Sequence, residues 1–254
     1  VIKVVLNGYM GKMCQVLIDE INNTDDMIIT AGIDTKVSNK DEIRENSIPL
    51  YSNPYDIKEK ADVIIDFSHP SCVKELVAYA LYKNIPLVIA TTGLSISSKN
   101  IIEEASKSIP IFISANMSIG VNLLLKLVNE SAKLLNESFD IEIIEKHHNK
   151  KVDAPSGTAY MIADNINRTL NNTKNLVFLR HGNQSKRSSC EIGIHSIRCG
   201  TIVGEHSVIF AGNDEILEIS HKALSKKIFA NGALNAARFI IGKAPKVYNM
   251  NNMI

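Results

Sequence analysis

Short β-branched runs and helical periodicity alternate through the first part of the chain. Ile2-Lys3-Val4-Val5-Leu6 is an apolar run that breaks at Asn7-Gly8, after which Met13, Val16, Leu17 and Ile21 recur at helical spacing. The pattern predicts a second strand over 27–34, a third over 63–67, a fourth over 87–92 and a fifth over 111–114. Helices are predicted over 71–83, behind Pro70, and over 97–108. Residues 35–60 are polar, carry Pro49 and Pro54, and predict a loop with a short helix. Strict alternation of strand and helix implies an α/β domain, with a parallel sheet covered by helices on both faces.

The pattern then changes. A long helix is predicted over 121–135, a strand over 140–146 and a helix over 157–170. Three stretches with period-2 alternation follow (191–197, 204–211 and 215–222) and predict antiparallel strands, hence an α+β second domain. The last helix, over 228–241, is rich in alanine and apolar, and is expected to return to the first domain as a cover. The Asn- and Lys-rich segments 171–175 and 249–252 read as solvated.

The 254 residues give a prior of one to two domains. With 45% apolar and 22% charged residues, a disordered or fibrous chain is excluded as the first reading. The 28 Lys+Arg balance 27 Asp+Glu at a net +1, which argues against a nucleic-acid partner. Cys14, Cys72, Cys190 and Cys199 form no C-x-x-C pair, so they are read as small core residues of a protein in a reducing compartment. No apolar run reaches the ~18 residues of a membrane span, and the first stretch makes a poor signal peptide. The expected location is the cytoplasm, with no membrane partner.

Candidate chemistry sharpens this picture at three strand ends. Gly8-Tyr9-Met10-Gly11-Lys12-Met13 leads from the first strand into a helix, where free N–H groups and the dipole suit a phosphate. The full dinucleotide fingerprint has further glycines, so a plain strand-to-helix turn stands as the alternative. Asp34 closes the second strand, the place where a carboxylate accepts from a ribose 2′-hydroxyl. It would repel a 2′-phosphate, and Thr35 follows in place of an arginine, with Lys36 close by. The expectation is NADH preferred, or use of both NADH and NADPH. Asp66-Phe67-Ser68-His69-Pro70 and Ala90-Thr91-Thr92-Gly93 follow the third and fourth strands, at the carboxyl ends where open parallel sheets bind ligands.

The densest stretch runs Glu145-Lys146-His147-His148-Asn149-Lys150-Lys151-Val152-Asp153-Ala154-Pro155-Ser156-Gly157-Thr158-Ala159. Two imidazoles and three lysines precede a helix start, a seat for a small dianion with groups able to carry protons. A solvated charged loop and a metal site are the other readings. With no cysteine or third ligand nearby, no metal is expected.

This stretch resembles the signature E-x-H-H-x-x-K-x-D-A-P-S-G-T-A of the 4-hydroxy-tetrahydrodipicolinate reductase (dihydrodipicolinate reductase) family. The likeness covers nearly the whole chain. Residues 8–13 resemble the family's G-x-x-G-[RK]-M turn, 66–68 its D-F-[TS] loop, 90–93 its G-T-T-G, and 114–122 its A-x-N-[FM]-S-[IV]-G-V-N. Residues 198–206 resemble its R-x-G-x-x-x-G-E-H, and 229–233 its late helix.

The resemblance implies a Rossmann-like doubly wound sheet plus an inserted α+β domain for substrate binding and oligomerisation. Residues 1–118 and 228–254 would form the first, and 119–227 the second. It implies reduction of a cyclic unsaturated imine dicarboxylate to tetrahydrodipicolinate by NADH or NADPH, in lysine and diaminopimelate synthesis, by a homotetramer. His147 would be the proton donor and acceptor and Lys151 a second donor, while His148, Gly157 and Thr158 would contact substrate. Gly8, Tyr9, Met10, Gly11, Lys12, Met13, Asp34, Ala90, Thr91, Thr92, Ser114, Ala115, Asn116 and Met117 would hold the dinucleotide.

Cys14, Ala90 and Thr201 depart from the family pattern. His206 and His221 are expected to be structural or interface histidines, Glu205 to pair with His206, and Arg198 to support the site or a subunit contact. Two competing readings are a dehydrogenase of an aspartate-derived aldehyde, which would need a thiol nucleophile, and a nucleotide-sensing regulator without turnover.

Overall fold

A computed structural model of the chain describes residues 1–37, 43–44, 48–136, 138–183 and 185–254. The chain divides into two units, Val1–Ile119 with Lys226–Ile254, and Gly120–Ser225.

The first unit begins with β1 (Ile2–Asn7), α1 (Lys12–Asn22), β2 (Met27–Ile33), β3 (Ile43–Arg44), β4 (Ile48–Tyr51) and β5 (Val63–Asp66). It continues with α2 (Pro70–Lys83), β6 (Leu87–Ile89), α3 (Ile96–Ala105) and β7 (Pro110–Ile113). The second unit holds α4 (Ile119–Leu135) from its second residue on, β8 (Asp140–His147), α5 (Gly157–Thr169), β9 (Asn175–Val177), β10 (Glu191–Arg198), β11 (Gly204–Ala211) and β12 (Ile216–Ala223). The chain then returns to the first unit with α6 (Lys227–Ile240), β13 (Lys246–Tyr248) and α7 (Met250–Met253).

The strands of the first unit are apolar on both faces because both are covered. Val4 and Leu6 join Leu17 and Ile21 of α1 and Ala233 and Ala237 of α6 in one core, while Val5 and Ile64 join Leu76 of α2 and Ile102 of α3 in the other. The sheet runs β13-β7-β6-β5-β1-β2-β4-β3, parallel except where β3 meets β4. Its order reverses between β1 and β5, which makes that junction the switch point of a doubly wound sheet.

Segment 35–60 is more ordered than its polarity suggests. Ile48–Tyr51 pairs with β2, and Pro54–Asp56 forms a 3-10 turn capped by Asn53. Residues 38–42 and 45–47 lie outside the described residues. Neither β13 nor α7 has a sequence signal of its own. The first is three residues long and is recruited by pairing with β7. The second occupies the 249–252 segment and is held by an Asn249–Asn252 capping box.

In the second unit the sheet order is β12-β11-β8-β10-β9. β11 is antiparallel to both β12 and β8, but β10 runs parallel to β8 and β9. The expectation that all three period-2 stretches are antiparallel is therefore wrong for 191–197. The connection from β8 passes through α5 before returning, and such a crossover delivers a strand in the same direction. Leu124 and Val128 of α4 and Ile162 and Ile166 of α5 pack on Ile141, Ile143, Val208 and Phe210. The opposite face carries Glu142, Lys146, His195 and Glu205. The cysteines are not uniformly core: Cys14 is buried, Cys72 half-buried, and Cys190 and Cys199 are exposed, all as free thiols.

Candidate active site

The buried face of β8 reads Ile141, Ile143, Glu145, His147, so the strand that builds the core ends in an acid and an imidazole. The two-residue spacing puts both side chains on one face. Glu145 is fully buried, and its four acceptor positions are all used. Oε2 accepts from His147 Nδ1 at 2.5 Å and from Arg198 Nη1 at 2.9 Å, while Oε1 accepts from Arg198 Nη2 at 2.7 Å and the Ser156 N–H at 3.2 Å. Arg198 ends β10, in register with His147, and its Nη2 also donates to the Asp153 carbonyl at 2.7 Å.

Burial pushes the Glu145 carboxyl up, but hydrogen bonds from Arg198, Ser196 and His147 outweigh that and hold it at about 2. His147 is shifted below its usual value, first by burial and then by Lys151 and Arg198, against the upward pull of Glu145. Because Nδ1–H is committed to Glu145, Nε2 is the nitrogen left for chemistry. A side chain at position 204 would place its Cβ 3.0 Å from that Nε2, so Gly204 keeps its approach open.

His206 lies across from Glu145 on β11, buried, with its ring centroid 5.3 Å from that of His147. Its Nε2 shares a 2.9 Å hydrogen bond with Ser156 Oγ, which caps α5 by accepting from the Ala159 N–H at 3.2 Å. Burial drives the His206 imidazole down to about 4. Glu205 points to the other face and meets Lys146 at 3.4 Å, so the expected Glu205–His206 pair does not form.

Gly157 opens α5 with nothing within 4 Å of a notional Cβ, and Thr158 follows it. Lys151 Nζ sits 2.8 Å from Asp153 Oδ1, and His148 has a buried Nδ1 without a hydrogen-bond partner among the described residues. The cluster is thus not an excess of bare cations. Lys151 and Arg198 both have carboxylate partners, and of those two carboxylates only Asp153 is solvent-exposed. Among the described residues, no three His, Cys, Asp or Glu side chains converge as a metal site.

The first unit has a separate cleft of about 240 Å³ at its switch point, with Gly8, Gly11, Asp34, Lys36, Ser68 and His69 in its lining. Gly8 has φ +83, and a Cβ there would fall 2.7 Å from the Phe67 carbonyl, so only glycine lets β1 pass this close to the end of β5. Gly11 caps α1 without a side-chain bond. Asp34 accepts from the N–H groups of Met10 and Lys36, each at 2.9 Å.

Beneath the cleft, buried Asp66 accepts from Asn7 Nδ2 at 2.7 Å and Ser68 Oγ at 2.6 Å, and the Ser68 N–H reaches Thr91 Oγ1 at 3.0 Å. The other predicted cofactor residues divide. Tyr9, Ala90, Thr91, Asn116 and Met117 are buried, Met13 and Ser114 are half-buried, and Met10, Lys12, Thr92 and Ala115 are exposed. Ser114 Oγ and Asn116 Oδ1 are used in turning their own loop.

Glu145 and Gly204 received no role from the sequence, and Ser156 none beyond opening a helix. The i, i+2 spacing of Glu145 and His147 on a predicted strand was the available signal. Arg198 was singled out, but its partner was hidden by the wrong strand direction.

A glycine cradle at a doubly wound switch point, with a buried acid-linked histidine in the same chain, defines a dinucleotide-dependent oxidoreductase. Residues 2–117 match the profile "Dihydrodipicolinate reductase, N-terminus" and residues 120–254 "Dihydrodipicolinate reductase, C-terminus". The chain belongs to the dihydrodipicolinate reductase family.

It is 49% identical over 253 residues to the 4-hydroxy-tetrahydrodipicolinate reductase of Caldanaerobacter subterraneus subsp. tengcongensis, covering 100% of this chain and 98% of the relative. To that of Clostridium tetani it is 46% identical, covering 100% and 97%. Its fold matches a dipicolinate-bound dihydrodipicolinate reductase from Paenisporosarcina sp. TG-14 at TM-score 0.80 and 23% identity, over 100% of both chains. A probable dehydrogenase from Thermotoga maritima matches at TM-score 0.62 and 11% identity, over 99% of this chain and 92% of that one.

Proposed function

We propose that the protein reduces 4-hydroxy-tetrahydrodipicolinate to tetrahydrodipicolinate with NAD(P)H, in lysine and diaminopimelate synthesis. The observation that carries this reading is His147, tied at Nδ1 to an ionised carboxylate and clear at Nε2, in a cluster that includes the N-terminal cap of α5. A dicarboxylate fits there. The N–H groups at Gly157 and Thr158 and the α5 dipole take one carboxylate, and Lys151 exchanges the exposed Asp153 for the substrate's charge. His148, whose Nδ1 has no hydrogen-bond partner among the described residues, adds a polar contact.

The 4-hydroxyl leaves as water with a hydrogen from the neighbouring ring carbon, which leaves a double bond conjugated to the imine; the dinucleotide, when bound, would supply hydride to that double bond. Negative charge then develops at the far carbon, and the His147 imidazolium delivers its Nε2 proton to quench it. Lys151 stabilises that charge beforehand. The cradle formed by Gly8 and Gly11 fits a pyrophosphate, since a Cβ at Gly8 would fill the space. Around it Tyr9, Met10, Lys12, Met13, Asp34, Ala90, Thr91, Thr92 and residues 114–117 are proposed to hold the dinucleotide. Some act with backbone or by packing, as their burial requires.

Asp34 beside the cleft favours a ribose 2′-hydroxyl, and Lys36 moderates its repulsion of a 2′-phosphate, so NADH is preferred or both cofactors are used. Steady-state kinetics with each cofactor checks this; a strong NADPH preference overturns it.

Among the described residues no helix is long and apolar enough to cross a membrane. The four free thiols fit the reducing cytoplasm, and exposed Ile197 and Ile216 on the second unit's sheet fit burial in a homotetramer. Light scattering reads the assembly.

The activity is tested by generating the substrate with the upstream synthase and following loss of NADH absorbance. Substrate-dependent oxidation is expected. Binding of NADH without oxidation would make the chain a nucleotide sensor instead.

A further inference from the structure

We propose that Arg198 is a positioning residue which, through Glu145, fixes the orientation and protonation of His147 without itself touching substrate. The inference rests on the reading of His147 as the proton donor, but its physical content is independent of that role. Arg198 spends both terminal nitrogens on the two oxygens of Glu145, a fork-to-fork pair at 2.7 and 2.9 Å. Nη2 is further used by the Asp153 carbonyl and Nη1 by the Ile197 carbonyl at 2.9 Å, so the guanidinium is committed to the protein. Glu145 is fully buried and receives four hydrogen bonds, from β10, from its own strand and from the start of α5. Rotation of this carboxylate would break its bonds to His147, to Arg198 and to the Ser156 N–H together.

The charged and titratable groups facing His147 are Glu145 on its own strand, Arg198 on β10, the imidazole of His206 on β11 and Lys151 in the following loop, itself paired with Asp153. Glu145 alone would stabilise the imidazolium strongly, and a histidine held charged is a poor donor because it does not release its proton. Burial, Lys151 and Arg198 offset that pull, and Arg198 alone does so while binding Glu145 and keeping it ionised, so Nδ1–H stays in place and the proton the imidazolium carries on Nε2 is labile. Lysine could carry the charge but not the fork.

Removing either member of the pair therefore moves His147 in opposite directions. Histidine-labelled NMR titration of the intact protein should show neutral His147 protonated on Nδ1. Its midpoint should rise by about one pH unit in Arg198→Gln and fall by about one unit in Glu145→Gln. The descending alkaline limb of kcat should follow, up in the first and down in the second. Arg198→Lys should keep the midpoint near that of the wild type while kcat falls, because charge is retained and orientation is not.

Midpoints that do not move, or that move the same way in both variants, overturn the proposal. If a variant does not fold, a neutral His147 protonated on Nε2 in the wild type overturns it equally. Opposite NMR shifts with unmoved kinetic limbs keep the relay and reject His147 as the proton donor.

Discussion

The cleft of the first unit and the histidine cluster of the second both lie at strand ends, yet they are made of different materials. The cleft is shaped by what is missing: a left-handed glycine pressed to 2.7 Å of a carbonyl, and a helix start with no side-chain cap. Its buried acids, Asp34 and Asp66, bind loops together, and burial raises the Asp66 carboxyl. The cluster is shaped by what is present, with ionised Glu145 at its centre and four side chains or caps set by it. One is chiefly steric; the other is electrostatic and should respond to pH. The contrast implies that damage in the first unit appears as weakened dinucleotide binding, and damage in the second as lost turnover and altered pH dependence.

The sharpest break of that contrast is His147→Ala, expected to lower kcat by roughly 10²–10⁴ while leaving the KM for NADH nearly unchanged. Near-wild-type turnover would remove His147 from the reaction.

Next comes acid. The folded His206 imidazole titrates at about 4, against 6.5 for the free group, so the unfolded chain takes its proton first. The stability from neutral His206 is complete above pH 6.5 and drains as pH falls towards 4, on the order of 3 kcal/mol across that window. Below about 4.5 the unfolded chain also protonates Glu145, which the folded protein keeps ionised down to about 2, and that drain adds to it. Denaturant midpoints by circular dichroism at neutral and acid pH should show this loss in the wild type and a smaller one in His206→Asn. Equal losses in both would place the acid sensitivity elsewhere.

A smaller effect is expected for Gly8→Ala: about 1–3 kcal/mol of stability from strain at positive φ, with the KM for NADH raised roughly tenfold and kcat little altered. The smallest is Gly157→Ala. Nothing lies within 4 Å of the added methyl, so stability should stay within about 0.5 kcal/mol, and any cost should appear as substrate KM. A large loss of stability in this variant would show that the open space is not a binding seat.

Much of the fold is legible because its signals are local. Buried strands such as Val63–Asp66 are continuous apolar runs, and Ser156 announces α5 with its cap. What escapes is long-range. Lys246–Tyr248 is a strand only because β7 offers it a partner, and the direction of β10 depends on the path through α5. The site divides in the same way. His147, His148 and Lys151 stand together in sequence and were found there. Arg198 reaches Glu145 across 53 positions, and its meaning depends on the register Arg198↔His147, which no local pattern encodes. Glu205 and His206 are neighbours in sequence and so were expected to pair, but alternation on β11 sends them to opposite faces.

The return of α6 and β13 to the first unit has a consequence for how the chain is made. A Cβ on Gly232 of α6 would come within 1.7 Å of the Met117 carbonyl, so the helix is seated directly on backbone laid down more than a hundred residues earlier. During synthesis the second unit has all its elements before α6 emerges. The first unit must wait, with Val4, Val88 and Phe112 lacking half their cover. The ribosome thus carries a chain whose second unit can be finished while its first unit still exposes an apolar sheet face. A nascent chain halted before residue 227 would carry that face into the cell as a target for chaperones and for aggregation.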